Sequence, residues 1–477
     1  MSITQSMANA LSGLNAASRA AEIVSANVAN ATTEGYGRRS LELAADDIGG
    51  VGAGVRVVGV RREVDTAILA DRRLADADLA GAETRSGALS RIEGLAGQPG
   101  SGGSLSDRIA ALETALTDAA GDPSSTLRLS SVVSALDGVV SEFHRLDDGL
   151  QQIRLDAEKS VAGEVDQLNT TLSKLEGLNA DIVRVRTSGG DSSALEDQRQ
   201  ILIDQVNQIV PVRELPRENG RVALMSTSGA LLLDGPPAEF SFSPVATMTA
   251  DLSVTTGTLG QVQMNGRAQD FAGGSSLLRG GSLEAAFDLR DATIPALQQS
   301  LDRTAADLAD RLSGAAATPP DPAGTHDILL DGGDAVDPVD ITGLSGRLTL
   351  NSALATDPTL LRDGLGAAGP VAEGDGRALN DLIDALSEPR TRADGGVGTA
   401  YDAATAFQSA VATQRLDAET DMTIAGSSAA LFKEAELAGG VDTDAEMQRL
   451  LLIEQAYAAN ARVIQTIDQL IQTLIEL

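Results

Sequence analysis

Apolar residues recur at alternating steps of three and four at both ends of the chain. This is the heptad pattern of a helix that packs one face against another helix. At the C-terminal end the series consists of Ile453, Tyr457, Asn460, Ile464, Ile467, Ile471 and Leu474. At the N-terminal end it consists of Ile3, Met7, Ala10, Leu14, Ala17, Ala21, Val24 and Val28. We therefore predict two terminal helices, each of which depends on another surface to cover its apolar stripe.

Helical periodicity also dominates the first half of the chain after residue 65. It predicts helices at about 65–96, 105–119, 124–185 and 194–209, of which the third is the longest. We expect Ser193, with Glu196 three residues later, to cap the fourth of these helices. A short extended element is expected around residues 55–60, after a glycine-rich turn.

The period changes after Pro211. Asn219-Gly220 and Asn265-Gly266 are strong hairpin signals, and Gly, Pro, Ser and Thr are dense from 211 to 280 and from 315 to 370. Helical patterns return at about residue 376 and run to Leu437. Gly439-Gly440 then breaks the chain, and we expect Thr443 with Glu446 to form the capping box of the last helix.

These elements predict a mainly α fold with a β-rich region in the middle of the chain. We assign residues 1–45 and 441–477 to a terminal helix pair and residues 46–210 and 371–440 to a bundle of long helices. Residues 211–370 are assigned to the β-rich region, interrupted by a helix at 283–312 that can pack on the bundle. A length of 477 residues fits two to four domains.

Composition narrows the function classes. The formal net charge of −32 disfavours nucleic acid and anionic membranes as partners. The chain has no cysteine, which excludes disulfides and thiol chemistry, and no apolar run long enough to span a bilayer. Its first residues lack the basic leader and apolar core of a secretory signal. We expect the arginine pairs 38–39, 61–62 and 72–73 to meet acidic neighbours in this anionic protein.

Candidate catalytic and ligand-binding residues are sparse. His144 and His326 are far apart and lack the spacing of a metal site, so we interpret both as incidental. The stretch GGVGAGV lacks the lysine and the helix of a phosphate loop. The acidic run of Asp331, Asp334, Asp337 and Asp340 lacks the spacing of a calcium loop, so we expect a solvated loop. We therefore predict neither an enzyme nor a cofactor.

The terminal stripes have two readings. They could form part of a folded monomer's core, or they could be buried by other copies of the chain. We favour assembly because both helices lie at the chain ends, behind glycine-rich joints. The residues predicted to make the assembly contacts are Ile3, Met7, Leu14, Val24, Val28, Ile453, Tyr457, Asn460, Ile464, Ile467, Ile471 and Leu474.

Both ends also resemble a known group, the bacterial flagellar axial proteins. Their N-terminal signature is similar to ALSGLNAASRAAEIVSANVANATTEGYGRRS, and their C-terminal signature is similar to EQAYAANARVIQTIDQLIQTLIEL. Internal blocks, among them SALEDQRQILIDQVNQIVPV and GGSLEAAFDLRDATIPALQQSLDRTAADLADRLS, resemble the FlgK family of hook–filament junction proteins. Gly35-Tyr36-Gly37 stands where hook and rod proteins usually have Gly-Phe-Lys, which favours the junction family.

This resemblance implies a secreted structural protein of the bacterial flagellum, exported by the flagellar type III apparatus. It implies a D0 coiled coil of the terminal helices, a helical D1 and a β-rich outer D2. The partners implied are a ring of copies of the chain, the hook protein, the adjoining junction protein on the filament side and an export chaperone on the C-terminal helix. Three alternatives remain: a hook or distal-rod axial protein, a secreted adhesin or effector, and a cell-wall hydrolase, which has no catalytic residues to support it.

Overall fold

The computed structural model describes residues 3–33, 35–48, 51–271, 273–316, 327–367, 369–392 and 395–476. His326 lies outside this part, as does the side chain of Leu474. The helices are α1 (Ile3–Ala29), α2 (Thr66–Ala96), α3 (Leu105–Gly121), α4 (Thr126–Thr187), α5 (Ser193–Ile209), α6 (Gly281–Asp288), α7 (Ile294–Ala316), α8 (Leu344–Arg347), α9 (Ser352–Thr356), α10 (Leu360–Asp363), α11 (Arg377–Ser387), α12 (Ala400–Ala438) and α13 (Thr443–Glu476). The fold is mainly α with small sheets, as the sequence predicts.

The strands are short except for the first two. They are β1 (Arg38–Ile48), β2 (Val51–Glu63), β3 (Val212–Pro216), β4 (Val222–Ser226), β5 (Leu231–Leu233), β6 (Phe240–Ser241), β7 (Gln263–Met264), β8 (Arg267–Ala268), β9 (Leu329–Asp331), β10 (Leu348–Leu350), β11 (Arg390–Thr391) and β12 (Val397–Gly398). All described pairings are antiparallel: β1–β2, β9–β10 and β11–β12, and the three-stranded sheets β3–β4–β5 and β6–β7–β8.

The two Asn-Gly pairs form the predicted hairpin turns. Asn219 and Gly220 have φ of 55° and 78°, between β3 and β4. Asn265 and Gly266, with φ of 51° and 75°, join β7 to β8. Positive φ at two successive residues suits the twist of a tight hairpin, and Asn-Gly adopts it at little steric cost.

Capping explains where several helices begin, and it corrects two expectations. The Asp65 side chain accepts hydrogen bonds from the first turn of α2, and Thr399 forms a capping box with Asp402 on α12. Ser193 is the first residue of α5, not its cap, since the backbone turns helical there. Similarly, Asp442 and not Thr443 caps α13, because the Asp442 carboxylate accepts from the backbone N–H groups of residues 444 and 445.

The longest helix, α4, runs through both hydrophobic cores. Its 62 residues extend about 93 Å at 1.5 Å per residue. Up to Ala157 its buried face lies in a core shared with α3, α7, α11, α12 and the β9–β10 pair. From Val161 onward the buried face lies in a second core shared with α5, α6 and strands β3 to β6. The described part of 211–370 therefore shares its apolar cores with α4, and the division into three domains remains a prediction.

The helix predicted at 283–312 is continuous but contains a π-helical turn. Leu289–Thr293 forms this turn between α6 and α7, just before Pro295, which has no N–H to donate. Arg290 lies in the turn and is fully buried. Its guanidinium donates to Glu158 at 2.6 Å and to Asp291 at 2.7 Å, and packs 4.6 Å from the Phe287 ring centroid. This buried cluster fixes the helix to α4.

Candidate assembly interface

The two terminal helices, α1 and α13, pack along each other. They are in contact at Gly13, where an added Cβ would lie 2.7 Å from Nδ2 of Asn460. The glycine leaves room for the Asn460 side chain between the helices. Asn460, the polar member of the predicted seam, therefore lies against the neighbouring helix of its own chain.

The structure divides the predicted assembly residues into three groups. Val24 and Ile467 are buried. Ile3, Met7 and Tyr457 are exposed. The half-buried residues are Leu14, Val28, Ile453, Asn460, Ile464 and Ile471. Much of the predicted seam thus contributes to the pairing of α1 with α13 inside one chain.

A second, exposed apolar stripe flanks the heptad seam of α13, and sequence reasoning missed it. Leu452, Val463 and Leu470 are 64%, 44% and 51% exposed. They are separated by 11 and 7 residues, a spacing that returns to the same side of a helix. Besides Ile3, Met7 and Tyr457, the other exposed large apolar residues in the described part of the pair are Leu11, Met447, Leu451 and Ile475. In the sequence these residues can be recognised because Leu452, Val463 and Leu470 each come one position before a residue of the heptad seam.

The terminal pair carries little charge compared with the rest of the chain. Arg19 and Glu22 are the only charged residues of α1, and Arg462 and Asp468 are the only ones between residues 455 and 475 of α13. Each helix therefore balances one arginine with one acid over this length. The acidic excess of the chain lies elsewhere.

A buried polar cluster holds the base of the pair. The Asn27 amide, which is fully buried, donates from Nδ2 to the backbone O of Arg39 at 2.9 Å and to the Glu446 carboxylate at 3.1 Å. Its Oδ1 accepts from the Arg39 N–H at 3.0 Å and from the Tyr36 hydroxyl at 2.8 Å. Burial raises the pKa of the Tyr36 phenol, against the opposing effect of Arg39, so the hydroxyl remains a donor at neutral pH.

Glu446 joins α13 to this cluster. It is 1% exposed and also accepts from Arg38 Nε at 2.9 Å and from Arg449 Nη1 at 3.1 Å. The predicted capping role of Glu446 is therefore wrong. Its carboxylate instead points into the joint between α1, β1 and α13.

Asp197 forms the matching contact on the helical body. Its carboxylate, on α5, accepts from the Gly37 N–H at 3.0 Å, from Arg39 at 2.8 Å and from Arg62 at 2.7 Å. Along the segment 36–39, side chains at even positions face Asn27 and Glu446, whereas Gly37 and Arg39 face Asp197. The segment thus connects the terminal pair to α5.

The ion pairs continue from α5 across the helical body. Arg72 on α2 binds Asp204 at 2.6 Å and Glu436 on α12 at 2.7 Å, while Arg73 binds Asp204 and Glu214. Although burial acts to lower the pKa of Arg72, Asp204 and Glu436 outweigh it and the pKa is raised. The arginine pairs 38–39, 61–62 and 72–73 all meet acidic side chains, as predicted.

The remaining chemical candidates have structural roles or none. His144 Nε2 lies 2.7 Å from the backbone O of Leu348. Asp337 and Asp340 accept from backbone N–H groups of their own loop, and Asp331 pairs with Arg347. Among the described residues, no group of three or more His, Asp or Glu side chains is arranged to hold a metal ion. No helix in the described part has the length and hydropathy needed to cross a bilayer.

Comparison with known proteins shows flagellar families along the chain. Residues 89–320 match the flagellar hook-associated protein FlgK helical domain. Residues 7–36 match the flagella basal body rod protein family, and residues 438–477 match the C-terminal family of the flagellar basal body rod FlgEFG proteins. Both rod-type matches fall on the terminal helices described above.

Curated relatives carry the same family name. Flagellar hook-associated protein 1 of Salmonella typhimurium is 31% identical over 239 residues, which cover 48% of this chain and 42% of the relative. Its counterpart in Escherichia coli is 29% identical over 270 residues, 54% of this chain and 48% of the relative. That of Bacillus subtilis is 26% identical over 233 residues, 46% of each. The chain thus matches about half the length of these relatives.

The fold is shared with a solved structure described as the flagellar hook junction protein FlgK from Burkholderia pseudomallei. The TM-score is 0.61 at 12% identity, and the alignment covers 77% of this chain and 99% of the other. The helical domain between two rod-type ends, the named relatives and this fold agree with one another. Over residues 89–320 the chain carries the helical domain of the FlgK family of flagellar hook-associated proteins, a family of structural proteins of the flagellum and not of enzymes.

Proposed function

We propose that the chain joins the hook of a bacterial flagellum to its filament, as one subunit of a ring held together by the terminal helices. The exposed apolar stripe of α13 carries this proposal. Leu452, Val463 and Leu470 are exposed on the side of α13 that flanks its contact with α1. A second copy of the chain is the surface that would cover them.

The energetics favour such an assembly. Full burial of a leucine or valine side chain contributes about 1.5–3 kcal/mol, so a few such contacts on each subunit offset the entropy lost on ordering the helix ends. Charge repulsion between copies is weak here because the distal parts of α1 and α13 are balanced. Copies of a chain with a net charge of −32 can therefore approach through this surface.

The family assignment supports the junction as the location. The helical domain characteristic of FlgK occupies the middle of the chain, and the curated relatives are named as hook-associated proteins. The hook protein on one side and an adjoining junction protein on the other are the proposed neighbours. The alternative is a hook or distal-rod protein, which the rod-type matches at both ends favour.

Before assembly, the exposed face of α13 needs protection in the cytoplasm. We propose that an export chaperone covers this face until the chain passes through the flagellar type III apparatus. The exposed residues Leu451, Leu452 and Val463 give α13 an apolar surface that can bind in a hydrophobic groove of the chaperone. Release at the export gate would free the same surface for other subunits.

Localisation in the native bacterium tests the proposal. A strain without the chain should make hooks that lack filaments, and a fluorescently labelled chain should restore filaments and mark one spot at the distal end of each hook. Labelling along the whole hook would instead support the hook or rod alternative. Normal filaments in the deletion strain would exclude both and favour an adhesin or effector.

A further inference from the structure

A cleft lies on the surface of the helical body between α2, α6 and α12, and none of its described lining residues belongs to the terminal pair. This α12 cleft has a volume of about 370 Å³, and its lining includes the small residues Ala75, Ala77, Gly81, Ala82 and Gly281. An added Cβ at Gly81 would lie 2.9 Å from the backbone O of Gly281, so α2 and α6 approach each other closely here. The small side chains leave a space that a larger side chain from outside can fill.

The lining also combines an exposed apolar side chain with negative charge. Ile424 lines the cleft and is 64% exposed. Asp78, Glu284 and Asp421 line it with one cation, Arg85, so the described lining has a formal charge of −2. A partner that brings an apolar side chain together with a positive charge is therefore favoured over an acidic one.

The β1–β2 hairpin of the chain has this complementary chemistry. Its pairing shifts register between Glu42 and Leu43, which leaves Val58 as an extra residue on β2 at a β-bulge. A bulge re-aims a side chain away from the regular ladder, and Val58 is 53% exposed, with Leu43 51% exposed beside it. Arg56, two residues before Val58, is exposed and forms no ion pair in the part of the chain that the structure describes. The hairpin thus presents an apolar projection next to a cation.

We propose that the α12 cleft of one copy receives the β1–β2 hairpin of a neighbouring copy, with Val58 against Ile424 and Arg56 beside Asp421. This inference rests on the proposed assembly function, which brings copies of the chain together. Complementary charge favours the contact, because an arginine without an ion-pair partner meets a cleft of formal charge −2. Covering Val58 and Ile424 removes apolar surface from water, which adds favourable free energy.

The hairpin is already fixed in position before it meets a neighbour. Arg39 and Arg62 bind Asp197 on α5 at 2.8 Å and 2.7 Å, and the Val55 N–H donates to the Ser12 hydroxyl on α1 at 3.1 Å. These contacts hold the hairpin against α1 and α5 of its own chain, and no hairpin residue lines the chain's own cleft. Docking a held hairpin into a second copy therefore costs little conformational entropy.

Cysteine cross-linking tests this contact, because the chain has no cysteine of its own. A bacterium that produces two full-length forms, one with Val58→Cys and one with Ile424→Cys, can form a link between these sites only between copies. A short bismaleimide reagent, added to isolated hook–filament particles, should join the two forms into a covalent dimer. In the matched control Leu437→Cys replaces Ile424→Cys. Leu437 is 63% exposed on the same helix, about 20 Å from Ile424, and should give no dimer.

Charge reversal tests the polar part of the contact in the same particles. Arg56→Glu, added to the Val58→Cys form, should lower the dimer yield about tenfold because an acid then meets the acidic lining. Asp421→Arg, added to the Ile424→Cys form, should restore the yield. Restoration by the second charge change is not expected if Arg56→Glu acts only on the fold of its own chain.

The outcomes separate this inference from the proposed function. No dimer in particles that contain both forms would overturn the inference alone, and so would an equal yield with Leu437→Cys. Should either form fail to enter the particles, Leu43→Cys and Ser428→Cys provide a second pair on the same two surfaces. Wild-type chain missing from the particles would contradict the proposed function and this inference with it.

Discussion

The Asn27 side chain forms two hydrogen bonds with the main chain of Arg39, the same pair that a neighbouring β-strand would form. Nδ2 donates to the Arg39 carbonyl O at 2.9 Å, and Oδ1 accepts from the Arg39 N–H at 3.0 Å. A helix side chain therefore fixes the first residues of β1 in place. The orientation of α1 relative to the β1–β2 hairpin follows from this pair of bonds.

Asn27→Asp should weaken this joint while keeping the size of the side chain. Two contacts in which Nδ2 donates, to Arg39 O and to Glu446, become contacts between acceptors. We expect the free energy of local unfolding to fall by about 2–3 kcal/mol, which should speed cleavage by proteases around residues 30–40. Asn15→Asp, at an exposed site on the same helix, is the control. Equal cleavage of the two variants would contradict the proposed role of Asn27.

Ile467→Asp and Leu470→Asp separate the two faces of α13. Ile467 is 5% exposed against α1, so an aspartate there should detach the helices and lower the helical circular dichroism of the free chain. Leu470 is 51% exposed, so its replacement should change the stability of the free chain by less than about 0.5 kcal/mol. It should nevertheless prevent filament attachment in a complemented strain. Normal attachment with Leu470→Asp would show that this face makes no essential contact.

Glu158→Ala should be among the most destabilising single changes in the body of the chain. Glu158 and Arg290 are both fully buried and are 2.6 Å apart. Removing the carboxylate leaves the guanidinium with Asp291 and the Gly260 carbonyl, and breaking a buried pair costs about 3–5 kcal/mol. Urea unfolding measures the loss. Glu176→Ala, an exposed site on the same helix, should leave the midpoint nearly unchanged.

Glu164→Gln should change how stability depends on pH. Burial raises the pKa of Glu164 to about 7, despite hydrogen bonds from Ser282 and Ser160 that act to lower it. The folded chain then binds this proton more tightly than the unfolded chain does. The resulting stabilisation is complete below pH 4.5, the ordinary value, and is lost as the pH rises to about 7.

Glu164→Gln should remove this dependence of stability on pH. At pH 8 the variant should be more stable than the wild type by up to about 3 kcal/mol, at 1.4 kcal/mol per pKa unit. Thermal unfolding between pH 4 and pH 8 provides the measurement. Asp166→Asn, at an exposed site two residues away, should keep the wild-type slope. A parallel pH profile for Glu164→Gln and wild type would refute the assignment.

Gly281→Ala and Gly87→Ala should have opposite effects. Gly281 has φ of +71°, and an added Cβ would lie 2.4 Å from the backbone O of Ile209. We expect Gly281→Ala to lower the free energy of unfolding by at least about 2 kcal/mol, since the backbones at Gly281 and Ile209 cannot move apart freely. Gly87 is inside α2 with nothing within 4 Å of an added Cβ, so alanine should stabilise by about 0.5–1 kcal/mol. Equal unfolding temperatures would show that α6 can shift away from α5.

The sequence predicts most helices because their burial is periodic. Residues 146–182 of α4 show one apolar face, and the structure buries it. The Asn-Gly turns follow from local backbone preference. The heptad seam of α13 can also be recognised in the sequence. A heptad pattern, however, shows only that one face of the helix is buried, not which surface covers that face. For this reason Ile467 was assigned to contacts between copies, whereas the structure buries it within the single chain.

The joint between α1, β1 and α13 depends on contacts that are distant in sequence. Asn27 and Glu446 are 419 residues apart and each resembles an ordinary surface residue among alanines and acids. The same reason explains the error at Thr443, where Glu446 has the spacing of a capping box but bonds to Arg38 instead. Local pattern cannot show that a polar side chain is removed from water by a distant element.

The unbroken length of α4 makes this helix a rigid support for the whole body of the chain. Because one helix crosses both apolar cores, twisting one core against the other would require bending or splitting a rod about 93 Å long. In the proposed junction between hook and filament, such a subunit would turn as one piece.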